Sequence, residues 1–141
     1  MTALNVELAR LNMLESQVRT WDVTDARVLE LVVRAPREDY VPAQYRNLAF
    51  VDMAIPLGHG QVMMHPKLEA RLLQALEINP QDKILEVGTG SGYMTALLAA
   101  LGGHVVSVEI LAEFSRAAAH KLEAHGVQNI TLDVGDAANG W

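Results

Sequence analysis

Apolar residues recur every three or four positions in the first third of the chain, which is the period of an amphipathic helix. The spacing predicts one helix over residues 6–19, and a second helix that runs to about Arg34. Pro36 should end the second helix, because the residue before a proline disfavours helical backbone. Short polar side chains before this helix can accept its first free amides. The candidate N-caps are Asp22, Thr24 and Asp25.

The pattern becomes irregular between residues 43 and 65, after a proline-bounded connector over residues 36–42. Pro56, Gly58 and Gly60 lie close together in this segment. A loop of this length in a compact domain is usually functional or disordered. Its many apolar residues argue against disorder, so we expect a functional loop.

From residue 66 onward, helices and short apolar runs alternate. Pro66 suits the first position of a helix that continues to Glu77, with an inner face of four leucines. Alternating strands and helices predict an α/β fold with a doubly wound parallel sheet. We expect residues 1–79 to form an N-terminal helical extension that includes this loop, packed on a core formed by residues 80–141. The leucines are Leu68, Leu72, Leu73 and Leu76; the predicted strands are Lys83–Val87, His104–Glu109 and Asn129–Val134, and the helices between them are Tyr93–Leu101 and Ala112–His125.

The first predicted strand of this core passes directly into a turn with three glycines at alternate positions, Gly88, Gly90 and Gly92. Glycine is disfavoured inside strands, so this placement indicates a turn at which backbone approaches a small molecule. Glu109 ends the second strand, about 20 residues further on. Backbone amides together with a carboxylate that accepts from ribose hydroxyls are how proteins hold a nucleoside cofactor. An ordinary tight turn is the alternative.

Composition narrows the classes of function. A net charge of −6 argues against a nucleic-acid surface, and the absence of cysteine excludes disulfides and thiolate metal sites. The five histidines lack the four-residue spacing of a paired metal ligand, so no metal site is expected. No stretch approaches the roughly 18 apolar residues of a membrane span, and the start lacks the apolar core of a signal peptide. We therefore expect no membrane association and a cytoplasmic location.

The glycine spacing distinguishes two kinds of cofactor. In the NAD fingerprint the third glycine follows the second by three places, where this chain has Tyr93. An acid, Glu86, followed by glycine at 88, 90 and 92 instead resembles the first motif of class I S-adenosylmethionine-dependent methyltransferases. An NAD-type oxidoreductase domain remains as the less favoured alternative.

Several segments, spread over nearly the whole chain, carry a further resemblance: Arg10 with Met13, Leu14 and Gln17; PREDYVP at 36–42; Asp52, Ala54, Ile55, Pro56, Gly58, Gly60 and Gln61; EVGTGSGY at 86–93; Glu109; GVQNI at 126–130; and Gly135, Asp136, Gly140 and Trp141. In this order, they resemble the protein-L-isoaspartate O-methyltransferase family. The resemblance implies a Rossmann-like doubly wound parallel sheet, first half only, with an N-terminal helical extension. It also implies methyl transfer from S-adenosylmethionine to the side-chain carboxylate of L-isoaspartyl or D-aspartyl residues in damaged proteins or peptides, leaving S-adenosylhomocysteine. The acceptor carboxylate has a reference pKa of about 4, so it is already ionised near neutral pH. It can therefore attack the methyl group on the sulfur without a general base.

The resemblance assigns the cofactor-binding residues. The methionine end would meet the glycine turn, Glu109 would accept from the ribose, and Asp136 would meet the adenine amino group. Alternatives remain: Glu109 as a solvated acid at a strand end, Asp136 as a turn residue, and Thr89 and Ser91 as helix caps. The residues expected at the cofactor are Glu86, Gly88, Thr89, Gly90, Gly92, Glu109 and Asp136.

The acceptor loop, residues 60–66, departs from the family pattern G-Q-T-I-S-x-P. Val62 and Met64 stand at the two hydroxyl positions, and a thioether cannot donate a hydrogen bond. Met64 and His65 are therefore the expected acceptor-site residues, with His59, His65 or backbone amides as replacement donors. A degenerate cofactor-binding module, or a methyltransferase with another acceptor, would also fit this loop.

The end of the chain is the second departure, because family members continue beyond the position of Trp141. Without further strands, the strand containing Ile84–Val87 would be an exposed edge that invites pairing. We therefore expect a truncated chain that dimerises or exchanges elements along this edge.

Overall fold

The computed structural model describes residues 2–141. The chain divides after Glu77 into two compact units, of which the first is mainly helical and the second is an α/β unit. Among the described residues, no helix is both long and apolar enough to cross a membrane. In chain order, the elements are α1 (Ala3–Met13), α2 (Ala26–Arg34), β1 (Ile55–Gly58), β2 (Gln61–Met63), α3 (Pro66–Leu76), β3 (Lys83–Val87), α4 (Tyr93–Leu101), β4 (His104–Glu109), α5 (Ala112–Ala124) and β5 (Ile130–Val134).

The first unit begins with α1, which continues into a π-helical turn over Leu14–Val18 and a 3-10 turn over Arg19–Trp21. The helix predicted over residues 6–19 is confirmed and is longer at both ends. Asp25, one of the three candidate caps, accepts hydrogen bonds from the amides of Arg27 and Val28 at 2.9 and 3.4 Å. The predicted start of α2 is therefore confirmed.

The segment between residues 43 and 65 is more regular than its sequence indicates. It contains a 3-10 helix over Ala43–Leu48 and an antiparallel hairpin of β1 and β2. His59 and Gly60 turn the hairpin with φ values of 53° and 72°. Strands of four and three residues are too short to display a two-residue period, and the first contains Pro56, a residue that is rare in strands. The prediction of an irregular segment was therefore wrong.

The inward face of α3 also differs from its prediction. Of its four leucines only Leu73 is buried, and the buried face continues through Glu69 and Ala70. Glu69 points inward because it pairs with the buried Arg37. A charge pair thus overrides the leucine pattern in setting the rotation of this helix. The exposed leucines are Leu68, Leu72 and Leu76.

The second unit is a three-stranded parallel sheet in the order β3-β4-β5, with α4 and α5 as the connections between its strands. The predicted α/β class and parallel sheet are confirmed. Its buried residues include Leu97, Val105, Val108 and Leu122. The strand β3 lies at one edge of the described sheet, where Leu85 is 52% and Val87 is 67% exposed. The expected pairing of two copies along Ile84–Val87 stays a prediction.

Candidate functional site

The glycine turn, residues 88–92, connects the carboxyl end of β3 to α4. Gly88, Gly90 and Gly92 have φ values of 97°, 55° and 87°, a left-handed region that other residues adopt at a cost. A Cβ at Gly88 would meet nothing within 4 Å, whereas one at Gly92 would lie 3.0 Å from the Cβ of Ala118. Gly88 therefore faces open space that a ligand can enter, and Gly92 allows α4 and α5 to pack closely.

Glu109 connects the glycine turn to the start of α5. Its Oε1 accepts a hydrogen bond from the amide of Gly90 at 2.9 Å, and its Oε2 accepts one from the amide of Leu111 at 3.0 Å. The residue is buried, so the alternative of a solvated acid at a strand end is wrong. A carboxylate offers about four acceptor positions, which leaves capacity for the hydroxyls of a ligand.

Glu86 accepts hydrogen bonds from a group of buried hydroxyls below the turn. Ser107 and Thr95 donate to its Oε1 at 2.6 and 2.5 Å. Since the proton of Ser107 points to Glu86, the hydroxyl of Thr89, 2.6 Å away, donates to Ser107. Burial raises the pKa of Glu86, against the lowering effect of the two hydrogen bonds, and the charge of Glu109 adds to the rise. The side chain of Thr89 is thus committed to this network, and only its backbone remains for a ligand.

The residue that caps α4 is Gly92, which has no side chain to accept a hydrogen bond. The hydroxyl of Ser91 accepts a hydrogen bond from the amide of Tyr93, the first residue of α4, at 3.2 Å, and the carbonyl of Thr89 accepts one from the amide of Gly92 at 2.9 Å. Of the two hydroxyls considered from the sequence, that of Ser91 thus meets the first amide of the helix and that of Thr89 does not.

Asp136 follows β5, so it lies at the same edge of the sheet as the glycine turn and Glu109. It is exposed, and its Oδ1 accepts a hydrogen bond from the amide of Ala138 at 2.9 Å. Its role as a turn residue is therefore confirmed, and its second carboxylate oxygen remains for a ligand.

Trp141 makes a contact that no sequence pattern indicates. Its indole covers Gly135, where a Cβ would lie 2.5 Å from the ring.

In the first unit, the acceptor loop is held by Arg37, which is buried. Arg37 donates to the carbonyl of Met64 at 3.0 Å, to the carbonyl of Ala49 at 2.6 Å and to the carboxylate of Glu69. Burial raises the pKa of Glu69 to about 7, although the charge of Arg37 lowers it. In the sequence, Arg37 belongs to the proline-bounded connector. The only sign of its role there is its charge in a short segment between two prolines.

The side chain of His65 is held by Asp52. The Nδ1 of His65 lies 2.9 Å from the Oδ1 of Asp52, and the Nζ of Lys67 donates to Oδ2 at 3.1 Å. The hydrogen bonds from His65 and Lys67 hold the pKa of Asp52 below its usual value. Met63 is buried and Val62 is exposed. The structure thus places Met64 and His65 in a fixed loop of the first unit, whereas the expected cofactor residues lie in the second.

The three parallel strands end at one edge of the sheet in the glycine turn, in buried Glu109 and next to Asp136. This arrangement is suited to a nucleoside ligand. The amides of the turn and the N-terminus of α4 favour anionic or polar groups, and Glu109 can accept from ribose hydroxyls. Within residues 2–141, no group of three or more His, Asp or Glu side chains is placed to hold a metal ion.

Comparisons with known proteins agree on one family. Its sequence model, described as Protein-L-isoaspartate(D-aspartate) O-methyltransferase, matches residues 9–141. A protein-L-isoaspartate O-methyltransferase from Aeropyrum pernix is 43% identical over 136 residues, which cover 94% of this chain and 52% of that protein. One from Myxococcus xanthus is 42% identical over 119 residues, which cover 84% of this chain and 56% of that protein. This chain thus spans little more than half the length of these two relatives.

Solved structures agree on the fold. A protein-L-isoaspartate O-methyltransferase superposes with a TM-score of 0.75 over 94% of this chain and 44% of its own, at 22% identity. An S-adenosylmethionine-dependent O-methyltransferase from Thermotoga maritima superposes with a TM-score of 0.53 over 56% of this chain and 31% of its own, at 30% identity. These likenesses show a class I methyltransferase fold, including its Rossmann-like sheet.

Proposed function

We propose that this chain, which belongs to the protein-L-isoaspartate(D-aspartate) O-methyltransferase family, provides the cofactor-binding part of an enzyme that repairs damaged proteins. The enzyme would transfer a methyl group from S-adenosylmethionine to the side-chain carboxylate of L-isoaspartyl or D-aspartyl residues. The observation that carries the proposal is the hydrogen bond from Gly90 to buried Glu109, beside the open space at Gly88. The expected cytoplasmic location stays a prediction.

The residues around the glycine turn fit S-adenosylmethionine. A Cβ at Gly88 would occupy open space at the carboxyl end of β3, and the backbone at Gly88, Thr89 and Gly90 would line the methionine end of the cofactor there. The carboxylate of Glu86 would favour its cationic end, and Glu109 would accept from the ribose hydroxyls. When bound, the cofactor supplies a methyl group on a positively charged sulfur.

Two of the residues expected at the cofactor have more restricted roles in this proposal. Gly92 would act indirectly, because its missing side chain lets α5 approach the start of α4. Asp136 would accept from the adenine amino group through the oxygen that does not bind the amide of Ala138.

The proposed reaction requires positioning more than proton transfer. The acceptor carboxylate is ionised near neutral pH, so the enzyme needs only to align it with the methyl carbon and exclude water. We assign contact with the acceptor to the segment of Met64 and His65. Arg37 holds the backbone of this segment at the carbonyl of Met64, and Asp52 holds the imidazole of His65.

Two measurements test the proposal. Calorimetry with S-adenosylhomocysteine should show binding, and NAD should not bind. A methyl-ester assay should detect transfer to an isoaspartyl peptide and none to the matched peptide with an ordinary aspartyl residue. Binding of NAD without S-adenosylhomocysteine would contradict the cofactor assignment.

A second candidate function is a cofactor-binding module without isoaspartyl methylation, or a methyltransferase for another acceptor. The observation that favours it is the absence of a hydroxyl at Val62, Met63 and Met64, none of which can donate a strong hydrogen bond. Binding of S-adenosylhomocysteine without ester formation on the isoaspartyl peptide would select this second candidate.

A further inference from the structure

His65 is held more firmly than a partly exposed surface side chain requires. Arg37 fixes the backbone immediately before it by donating to the carbonyl of Met64 at 3.0 Å. Its own carbonyl accepts from the amides of Leu68 and Glu69 at 3.1 and 3.2 Å, which anchors it to the first turn of α3. The imidazole is nevertheless 34% exposed, so packing in a core does not account for its fixed position.

The carboxylate that orients His65 is itself fixed. Lys67 donates to the second oxygen of Asp52 at 3.1 Å, and its ammonium lies 4.5 Å from the ring centroid of Trp21, within the range of a cation–π contact. Three side chains from different parts of the first unit thus form a chain of contacts that ends at one imidazole.

We propose that Asp52 is a positioning residue that presents the Nε2–H of protonated His65 to the acceptor carboxylate. This inference rests on the proposed function. An ionised carboxylate only accepts hydrogen bonds, so the Nδ1 that faces Asp52 carries a proton. The remaining polar atom of the imidazole is Nε2, and only the protonated ring donates from both nitrogens.

The surrounding charges leave the imidazolium as the group that attracts an anion. The Asp52 carboxylate, from the segment before β1, faces the ring and is paired with the Lys67 ammonium of α3. Behind Met64, the guanidinium of Arg37 is paired with Glu69 of the same helix. Protonation of His65 adds a positive charge at the loop. Binding of the acceptor should therefore weaken as rising pH removes that proton. Since burial raises the pKa of Glu69 to about 7, its charge also changes near neutral pH, and the pH dependence is assigned to His65 by its loss in His65→Ala.

The test compares the kinetics of an isoaspartyl peptide across pH for the unchanged protein and for His65→Ala, His65→Gln and Asp52→Asn. One charge-assisted hydrogen bond accounts for about a ten- to hundredfold change in KM. In His65→Ala we expect KM to rise by this factor, while kcat is largely unchanged. The dependence of KM on pH should also disappear in this variant. His65→Gln, whose amide can donate, should recover part of the loss without regaining the pH dependence. Asp52→Asn should give an intermediate KM.

Two controls separate positioning from general damage. The exposed His120 on α5 provides the same substitution away from the loop, and His120→Ala should leave KM unchanged. Affinity for S-adenosylhomocysteine should be unchanged in all variants. Nitrogen NMR of the imidazole should show a proton on Nδ1 of His65 in the unchanged protein and a mixture of tautomers in Asp52→Asn.

The outcomes distinguish this inference from the function on which it rests. If the unchanged protein methylates the isoaspartyl peptide but His65→Ala keeps its KM, the inference is overturned and the proposed function stands. A KM that does not change with pH in the unchanged protein also overturns it. If the unchanged protein forms no ester, the proposed function fails, and the inference fails with it.

Discussion

The glycine turn of the second unit and the acceptor loop of the first both lead into the N-terminus of a helix, but different parts of the chain hold them. Backbone amides hold the glycine turn: Gly88 donates to the carbonyl of Val108 at 2.7 Å, and Gly90 donates to Glu109. The acceptor loop is held by side chains, because Arg37 binds its backbone and Asp52 binds His65. One turn therefore depends on backbone conformation and the other on buried or paired charges.

This difference predicts how each region responds to substitution. A turn made by left-handed glycines fails when a Cβ is added, since other residues cannot adopt its backbone without strain. A loop held by a buried guanidinium fails when that single cation is removed, because two carbonyls and a carboxylate lose their partner at once. The variants below test each dependence, in order of decreasing expected effect.

The largest effect is expected from Arg37→Ala. This change leaves the buried carboxylate of Glu69 without its partner and removes the donors to Ala49 and Met64. Breaking a buried ion pair from one side costs about 3 to 5 kcal/mol. Urea unfolding should show a loss of stability of this size.

The matched control for Arg37 is Arg46, which pairs with Asp39 at 2.8 Å on the surface. An exposed ion pair contributes at most about 1 kcal/mol, so Arg46→Ala should be nearly neutral. Equal losses for the two variants would show that burial does not decide the role of Arg37.

The next effect is expected from Gly88→Ala, with Gly126→Ala as its control. Both glycines have positive φ, 97° and 70°, and a Cβ at either would meet nothing within 4 Å. Each substitution should cost about 1 to 2 kcal/mol of stability from left-handed strain. Only Gly88→Ala should also weaken the binding of S-adenosylhomocysteine, by more than about tenfold, because only the Cβ added at Gly88 enters the proposed cofactor space. If calorimetry gave the same affinity for S-adenosylhomocysteine in both variants, Gly88 would not be part of the proposed cofactor site.

The contrast between the two regions also explains what could be predicted from the sequence. The β3 and β4 strands and α4 were predicted at Lys83–Val87, His104–Glu109 and Tyr93–Leu101, as observed, because short apolar runs separated by glycine turns are local signals. Glu109 was expected near the glycine turn since parallel strands end at one edge of a sheet. Local pattern and simple topology therefore sufficed for the cofactor side.

The acceptor side depends on contacts between distant residues, which periodicity does not report. The pairing of Arg37 with Glu69 rotates α3 away from its leucine pattern. Asp52 binds His65 from a segment whose structure was predicted as irregular. In each case a tertiary contact, and not a local preference, decides the structure.

The smallest effect concerns pH, and it should have opposite signs in the two regions. Burial raises the pKa of Glu86 above its ordinary value of 4.5, whereas hydrogen bonds from His65 and Lys67 lower the pKa of Asp52 below 3.8. The folded state holds the Glu86 proton more tightly than the unfolded state does. Its contribution to stability is therefore complete below about pH 4.5 and is lost as pH rises through the folded pKa. The contribution of Asp52 is present above about pH 3.8 and is lost as pH falls through its lowered pKa.

Urea unfolding of Glu86→Gln and Asp52→Asn between pH 3 and pH 8 measures both signs. Relative to Glu86→Gln, the unchanged protein should lose stability as pH rises above about 4.5; relative to Asp52→Asn, it should lose stability as pH falls below about 3.8. The first effect should be modest, because Ser107 and Thr95 donate to the Glu86 carboxylate and offset part of its burial. Ser107→Ala removes one of these donors and should steepen the loss. If both carboxylates gave the same sign, burial of Glu86 would not outweigh the hydrogen bonds that it accepts, and the electrostatic contrast between the two regions would be contradicted.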